Sequence, residues 1–318
     1  MKYYSCDSLN RPEVRRWYRR IKECYSPPED IKLTVVLPCS AKKPYSTSKS
    51  HITFRKAIKA GAGKKLNLVH EVTLTSPLGM VPRELEELYP ACCYDTSVTG
   101  YWSEEEKSTA EELIRDYAGK AHSKIVGYCS EAYAEILDSA GIEVIARDDL
   151  LGESNLNLLS RRIRDFLGKE ERIKRNKNLE KLRAVAEFQF GKGMGEIIIH
   201  EGAKLRRNDI YYKDKKIARL HQRYGYLNLT IEGADALAEK GKYNVFIDFM
   251  PETNSIFCAG IIDADRAIVP GDEVAVVYKE EVVGVGRAVL NGMEMLRAER
   301  GMAVKLRKRR KQIALSAS

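Results

Sequence analysis

"IKLTVVLPCSAKKPYSTSKSHITFRKAIKAG", residues 31–61, decides how the first half of the chain is read. Ile31, Thr34, Val35 and Val36 are β-branched, and with Leu33 and Leu37 they make a buried strand that stops at Pro38. "FRKAIKAG" reads as a short helix ended by Gly61. Strand, loop and helix then recur. "LNLVHEVTLTSP" is a second strand closed by Pro77. Ser103 and Glu106 form a capping box that opens the helix "EEEKSTAEELIRDYAGK". "KIVGYCS" is a third strand, "EAYAEILDSAG" a helix, "IEVIA" a fourth strand and "NLNLLSRRIRDFLG" a further helix. This alternation predicts right-handed crossovers and a mostly parallel sheet, an α/β N-terminal domain over residues 1–168. Upstream, "RPEVRRWYRRIKECY" is helical, with Val14, Trp17, Tyr18 and Ile21 on one face.

Ligands of such sheets sit beyond the carboxyl ends of the strands. "PCSAKKPYS", "TSPLGMVPRE" and "CSEAY" all begin at such ends, so the three loops are expected to share one rim.

Downstream the composition changes twice. "KEERIKRNKNLEKLRAVAEFQFGKG" is read as a basic helix over 169–192 and a domain boundary. Short strands "EIIIH", "DIYYK", "KIARLHQ" and "YLNLTI" follow, making 169–240 a small α+β middle domain. From 241 to 318, closely spaced strands split by Gly, Pro and Asp predict a C-terminal β-barrel.

The 318 residues are 44% hydrophobic and 31% charged, as in a globular protein. No apolar run is long enough for a membrane span and no signal core opens the chain, so a cytoplasmic location without membrane is expected. Seven cysteines are scattered with no CxxC pair, which predicts neither a disulfide framework nor metal ligation. The net charge of +9 and pI of about 9.0 favour a polyanionic partner. The charge peaks in "RAERGMAVKLRKRRK", where Lys305, Arg307, Lys308, Arg309, Arg310 and Lys311 are candidate RNA contacts.

The loop after Pro38 carries the candidate chemistry. Cys39 on residue type alone is a packed thiol. Lys42, Lys43 and His51 close by change that reading, since cations favour the nucleophilic thiolate. Catalytic candidates are therefore Cys39, Lys43 and His51, the histidine as proton donor or base. Ser40, Tyr45, Ser46, Ser48 and Ser50 can hydrogen-bond a flat polar ligand, though serine and proline also suit a turn. Ser76 and Gly79 of the second rim loop join them. Asp95 and Trp102 can read and stack a nucleobase. "GAGKK" at 61–65 fails the phosphate-loop pattern, so no ATP site is expected.

"LPCSAKKPYSTSKSH" resembles the signature loop of archaeosine synthase, an archaeal tRNA-modifying family related to tRNA-guanine transglycosylases. "SPLGMVPRELEELYPACCYDTSVTGYW" is similar to a second segment of that family. "GIIDADRAIVPGDEVAVV" and "VGVGRAVLNGMEML" resemble a PUA RNA-binding domain. The resemblance implies a uracil-DNA glycosylase-like fold for the first domain and a PUA barrel for the last. Many members carry a further N-terminal transglycosylase-like barrel, and this chain resembles a short form without it. The implied activity is the addition of free lysine, through its side-chain amine, to the nitrile of 7-cyano-7-deazaguanine at position 15 of tRNA. A radical-SAM partner, holding the SAM and the iron–sulfur cluster, would cleave the adduct to archaeosine; no cofactor is expected in this chain. The alternative is a non-catalytic subunit that presents tRNA to that partner. The sequence leaves room for a homo-oligomer.

Overall fold

Leu33, Val35 and Leu37 alternate with Thr34 and Val36, and the two sets face opposite sides of one sheet. The computed structural model describes residues 8–94 and 101–310. It divides into two compact units, Met1–Lys192 and Gly193–Ser318.

The first unit runs α1 (Pro12–Glu23), β1 (Leu33–Pro38), α2 (Lys49–Ala62), β2 (Val69–Thr75), β3 (Gly79–Pro82), α3 (Glu104–Lys120), β4 (Lys124–Gly127), α4 (Glu131–Ser139), α5 (Glu153–Phe166) and α6 (Lys177–Phe190). The strands are ordered β3-β2-β1-β4. β1 is parallel to both β2 and β4, with Leu33 opposite Val69 and Lys124. β3 returns antiparallel on β2, so the sheet is mixed. Leu33, Val35 and Leu37 form a core with Phe54, Ile58, Leu159 and Ile163 of α2 and α5. On the other face Thr34 meets the Tyr117 hydroxyl of α3 at 3.0 Å. Trp17 of α1 donates to the Met80 carbonyl at 3.1 Å. The capping box of Ser103 and Glu106 is formed at the start of α3.

The structure corrects several expectations here. "IEVIA" is not a full strand. It is held by a single parallel bridge between Gly127 and Val144, because β4 itself ends after four residues. The basic segment 169–192 is helical only over Lys177–Phe190. Upstream of it, side chains take the carbonyls a helix would use: Lys65 those of Leu167 and Gly168, Asn67 that of Ile173. "EIIIH" is helix rather than strand, as the second unit shows.

That unit opens with α7 (Met194–Ile198), preceded by Gly193 at φ +85°. An antiparallel sheet of β5 (Lys204–Arg206), β6 (Asp209–Tyr212), β7 (Lys215–Leu220) and β8 (Leu227–Leu229) follows, with α8 (Ile231–Lys240) after it. Then come β9 (Asn244–Ile247), β10 (Ser255–Phe257), β11 (Ile261–Ala264), β12 (Glu273–Tyr278), β13 (Glu281–Ala288), α9 (Gly292–Arg297) and β14 (Met302–Arg309). Their order is β10-β14-β13-β12-β9-β11, an open ladder among the described residues rather than a closed barrel. Val245, Ile256, Val274, Val276, Val304 and Leu306 line its core.

Candidate functional site

Because β1, β2 and β4 are parallel, their carboxyl ends lie on one edge, and the three predicted loops do share that rim. Cys39 follows Pro38 directly and is half-buried. Its Sγ lies 3.0 Å from the hydroxyl of Tyr133, in the first turn of α4. Tyr133 is itself fixed by Trp102, whose ring stands edge-on at 5.4 Å and 80°. From the second loop, Thr75 takes a hydrogen bond of 3.2 Å from the buried Tyr45 hydroxyl, and both residues meet the hydroxyl of Tyr94. The Lys43 ammonium lies 3.8 Å from the centre of the Tyr94 ring.

These hydroxyls stay protonated at neutral pH. Burial first, and then the nearby Cys39 charge, raise the Tyr133 pKa far above the ordinary phenol. Burial likewise raises Tyr45 and Tyr94, with Cys39 adding to both. Phenols held as O–H beside a thiol can donate to a thiolate or to an anion forming near it.

His51 does not have the role the sequence suggested. It is 0% exposed. Its ring stacks on Tyr45 at 5.3 Å, and its Nε2 pairs with the Pro38 carbonyl at 2.9 Å. Burial, then the Arg83 charge, lower its pKa to about 4. Its buried Nδ1 meets no donor or acceptor. A neutral imidazole donating from Nε2 fits these contacts, so His51 props the loop and has no proton to give at neutral pH.

Four of the candidate serine hydroxyls are also held in local hydrogen bonds. Ser48 caps α2, its Oγ accepting from the His51 amide at 3.2 Å, and Ser50 lies 3.3 Å from it. Ser40 donates to the Lys42 carbonyl at 3.0 Å, within its own turn. Ser46 gives its amide to Glu86 at 3.0 Å. Ser76 donates to Glu106 of α3. Gly79 starts β3 at φ +69°, where a Cβ would meet Leu113 at 2.7 Å. Asp95 lies outside the described residues.

Sequence reasoning missed Tyr94 and Tyr133. Tyr133 stands in the rim loop "CSEAY" and Tyr94 in the segment "SPLGMVPRELEELYPACCYDTSVTGYW", yet the residues beside them drew the reading. In the second unit, Lys305 and Lys308 on β14 are exposed. Arg309 is half-buried, donating to the Pro251 carbonyl at 3.2 Å, and Arg310 pairs with Glu281 at 2.9 Å. Arg307, although exposed, pairs with the buried Glu273 at 2.8 Å and donates to the Leu229 carbonyl. Lys311 lies outside the described residues. Among those residues, no helix is long and apolar enough to cross a membrane.

Comparison with known proteins places these modules. Residues 14–162 match a family described as a domain of unknown function, DUF5591. Residues 180–244 match the patch-forming domain C2 of tRNA-guanine transglycosylase, and residues 245–309 the PUA domain. The archaeosine synthase subunit alpha of Thermococcus kodakarensis is 41% identical over 326 residues, 96% of this chain and 56% of that protein. Its namesake in Methanosarcina acetivorans is 39% identical over 319 residues, 95% of this chain and 50% of that protein. The crystal structure of AF0587, titled a protein of unknown function, matches with a TM-score of 0.70 at 25% identity, covering 93% of this chain and 100% of that one. The chain spans about half the length of the curated relatives it matches. Along nearly the whole of its own length, with the C2 and PUA modules in order, the chain is similar to archaeosine synthase subunit alpha.

Proposed function

We propose that this chain acts in archaeosine formation on tRNA, joining the side-chain amine of free lysine to the nitrile of 7-cyano-7-deazaguanine at position 15. The observation that carries this reading is the meeting of Cys39 with the Tyr133 hydroxyl at 3.0 Å, on a rim that also brings in Lys43 and Tyr94.

A nitrile carbon is electrophilic, and addition to it releases no leaving group. In the covalent route the Cys39 thiolate bonds to the nitrile carbon and the nitrile nitrogen takes a proton, giving a thioimidate. The lysine amine then attacks that carbon, the C–S bond breaks, and the thiolate returns. The amine's surplus proton passes to the sulfur or to solvent, leaving an amidine. In the direct route the amine adds without the sulfur and its proton ends on the nitrile nitrogen. Lys43 or Tyr133 supplies the donor in both routes, since buried, neutral His51 has no such proton.

The first sheet is read as the catalytic, uracil-DNA glycosylase-like part. Lys305 and Lys308 of β14 are read as phosphate contacts, and Arg309 as a neighbour of them. A radical-SAM partner then cleaves the adduct. The test is to incubate the purified chain with tRNA bearing the cyano base and with lysine, and to weigh the nucleoside. Adduct from the wild-type chain and none from Cys39→Ala is the expected result. Full adduct with Cys39→Ala removes the covalent route, and none from the wild type leaves a tRNA-presenting role.

A further inference from the structure

The turn 45–47 faces two ways. Tyr45 sends its ring towards Thr75 and Tyr94. Ser46 instead borders a second cleft, of about 500 Å³, whose walls come from β2, residues 83–86 and the start of α6. Cys39 is not among its lining residues.

A chain of buried charges crosses this cleft. Glu71 accepts from both Arg55 and Arg83. Arg83 also donates to Glu86 Oε2 at 2.9 Å, and the Ser46 amide donates to the same oxygen at 3.0 Å. Glu86 is only 5% exposed, yet its Oε1 receives no donor among the described residues. An acceptor oxygen without a donor, on a residue that lines a cleft, can accept from a ligand entering it.

The opposite imbalance stands across the cleft. Lys177, the first residue of α6, has no carboxylate partner among the described residues. Burial, then the charges of Arg55 and Arg175, lower its pKa, as expected of a cation crowded by cations. Arg175 is already committed to Glu180 and the Asn67 carbonyl. The positive end of the α6 dipole adds to the excess. One wall of the cleft thus offers an ammonium without a carboxylate among the described residues, and the other a carboxylate oxygen, Glu86 Oε1, without a donor.

We propose that this cleft seats a free amino acid, its carboxylate at Lys177 and Arg55 and an ammonium at Glu86 Oε1. The two-signed seat stands on its own charges; that its occupant is lysine rests on the function proposed above. The same turn would then border both seat and thiol, Ser46 on one and Tyr45 on the other.

The test is equilibrium dialysis of the full chain without tRNA. The probes are L-lysine, cadaverine, which lacks the carboxylate, and L-norleucine, which lacks the side-chain amine. Lysine is expected to bind one saturable site and cadaverine at least tenfold more weakly. Lys177→Gln, at the first residue of α6, should weaken lysine about tenfold and raise its KM alike, with kcat nearly unchanged. Glu86→Gln should do the same if it folds. Unchanged lysine affinity in Lys177→Gln overturns the proposal, as does a loss of tRNA affinity with lysine binding intact, which would make the cleft a phosphate contact. Lysine binding without adduct would sink the catalytic reading and keep the seat. Adduct formation with the lysine KM untouched in Lys177→Gln would do the reverse.

Discussion

His51 titrates near 6.5 when unfolded and near 4 in the folded chain, because burial opposes its charge. As pH falls, the unfolded state takes the proton first. The stability held at and above pH 6.5 is therefore lost towards pH 4, by about 3 kcal/mol in all at about 1.4 kcal/mol per unit. Urea melts between pH 7 and 5 should show this decline, and His51→Phe should flatten it while weakening the protein at pH 7. A wild-type midpoint that stays level across that window would mean the ring is solvated. Tyr133 supports a separate prediction. Tyr133→Phe keeps the ring against Trp102 and deletes the hydroxyl at Cys39. Adduct formation should slow about tenfold, the order of one hydrogen bond, with little change in Tm. An unchanged rate would remove the hydroxyl from the chemistry. Cys39 was legible in the sequence because it follows a strand end. Tyr133 was not, because a shared rim does not say which side chain of "CSEAY" turns towards Cys39; only the assembled contact shows that.

At the level of elements, β1, β2 and the helices α2 to α5 were readable because their apolar periods are long or their caps are marked. "EIIIH" was not. A five-residue apolar run fits a strand or a buried helical turn equally, and packing chose the turn. The fourth strand shrank for a similar reason, its neighbour β4 being too short to pair with it along its length. The contact of α2 with α5 left a trace in the sequence that was read only as a helix stop. Gly61 lies inside α2, and a Cβ there would stand 2.4 Å from the Ser160 carbonyl oxygen and 3.0 Å from Ile163 Cβ. Gly61→Ala should force the two helices apart and cost about 1–3 kcal/mol, read as a lower urea midpoint. A neutral result would mean that the helices can slide. Because this pair packs on Leu33, Val35 and Leu37, loosening it should also slow the chemistry at the end of β1.

For the whole molecule, the net charge of +9 predicts tRNA binding that weakens steeply with salt. Lys305→Ala and Lys308→Ala should each lower the slope of log affinity against log salt by about one, leaving Tm unchanged. A slope indifferent to both would move the phosphate contacts elsewhere. Arg307→Ala should behave differently. It strips the partner from Glu273, a carboxyl whose pKa burial already raises, and should cost about 2–3 kcal/mol of stability. Composition alone assigned these three neighbours the same expected role, since a basic run does not say which of its members is tied to a buried carboxylate. The Glu273 clasp has a reach beyond its own strand. Its Oε1 takes the Leu229 amide at 2.9 Å, while Arg307 holds the Leu229 carbonyl. Both halves of the clasp lie in the PUA module, and Leu229 lies in the C2 module before it. A chimaera spliced at their seam with a foreign PUA module would inherit a peptide group whose two partners had left, so the pair is best transplanted together.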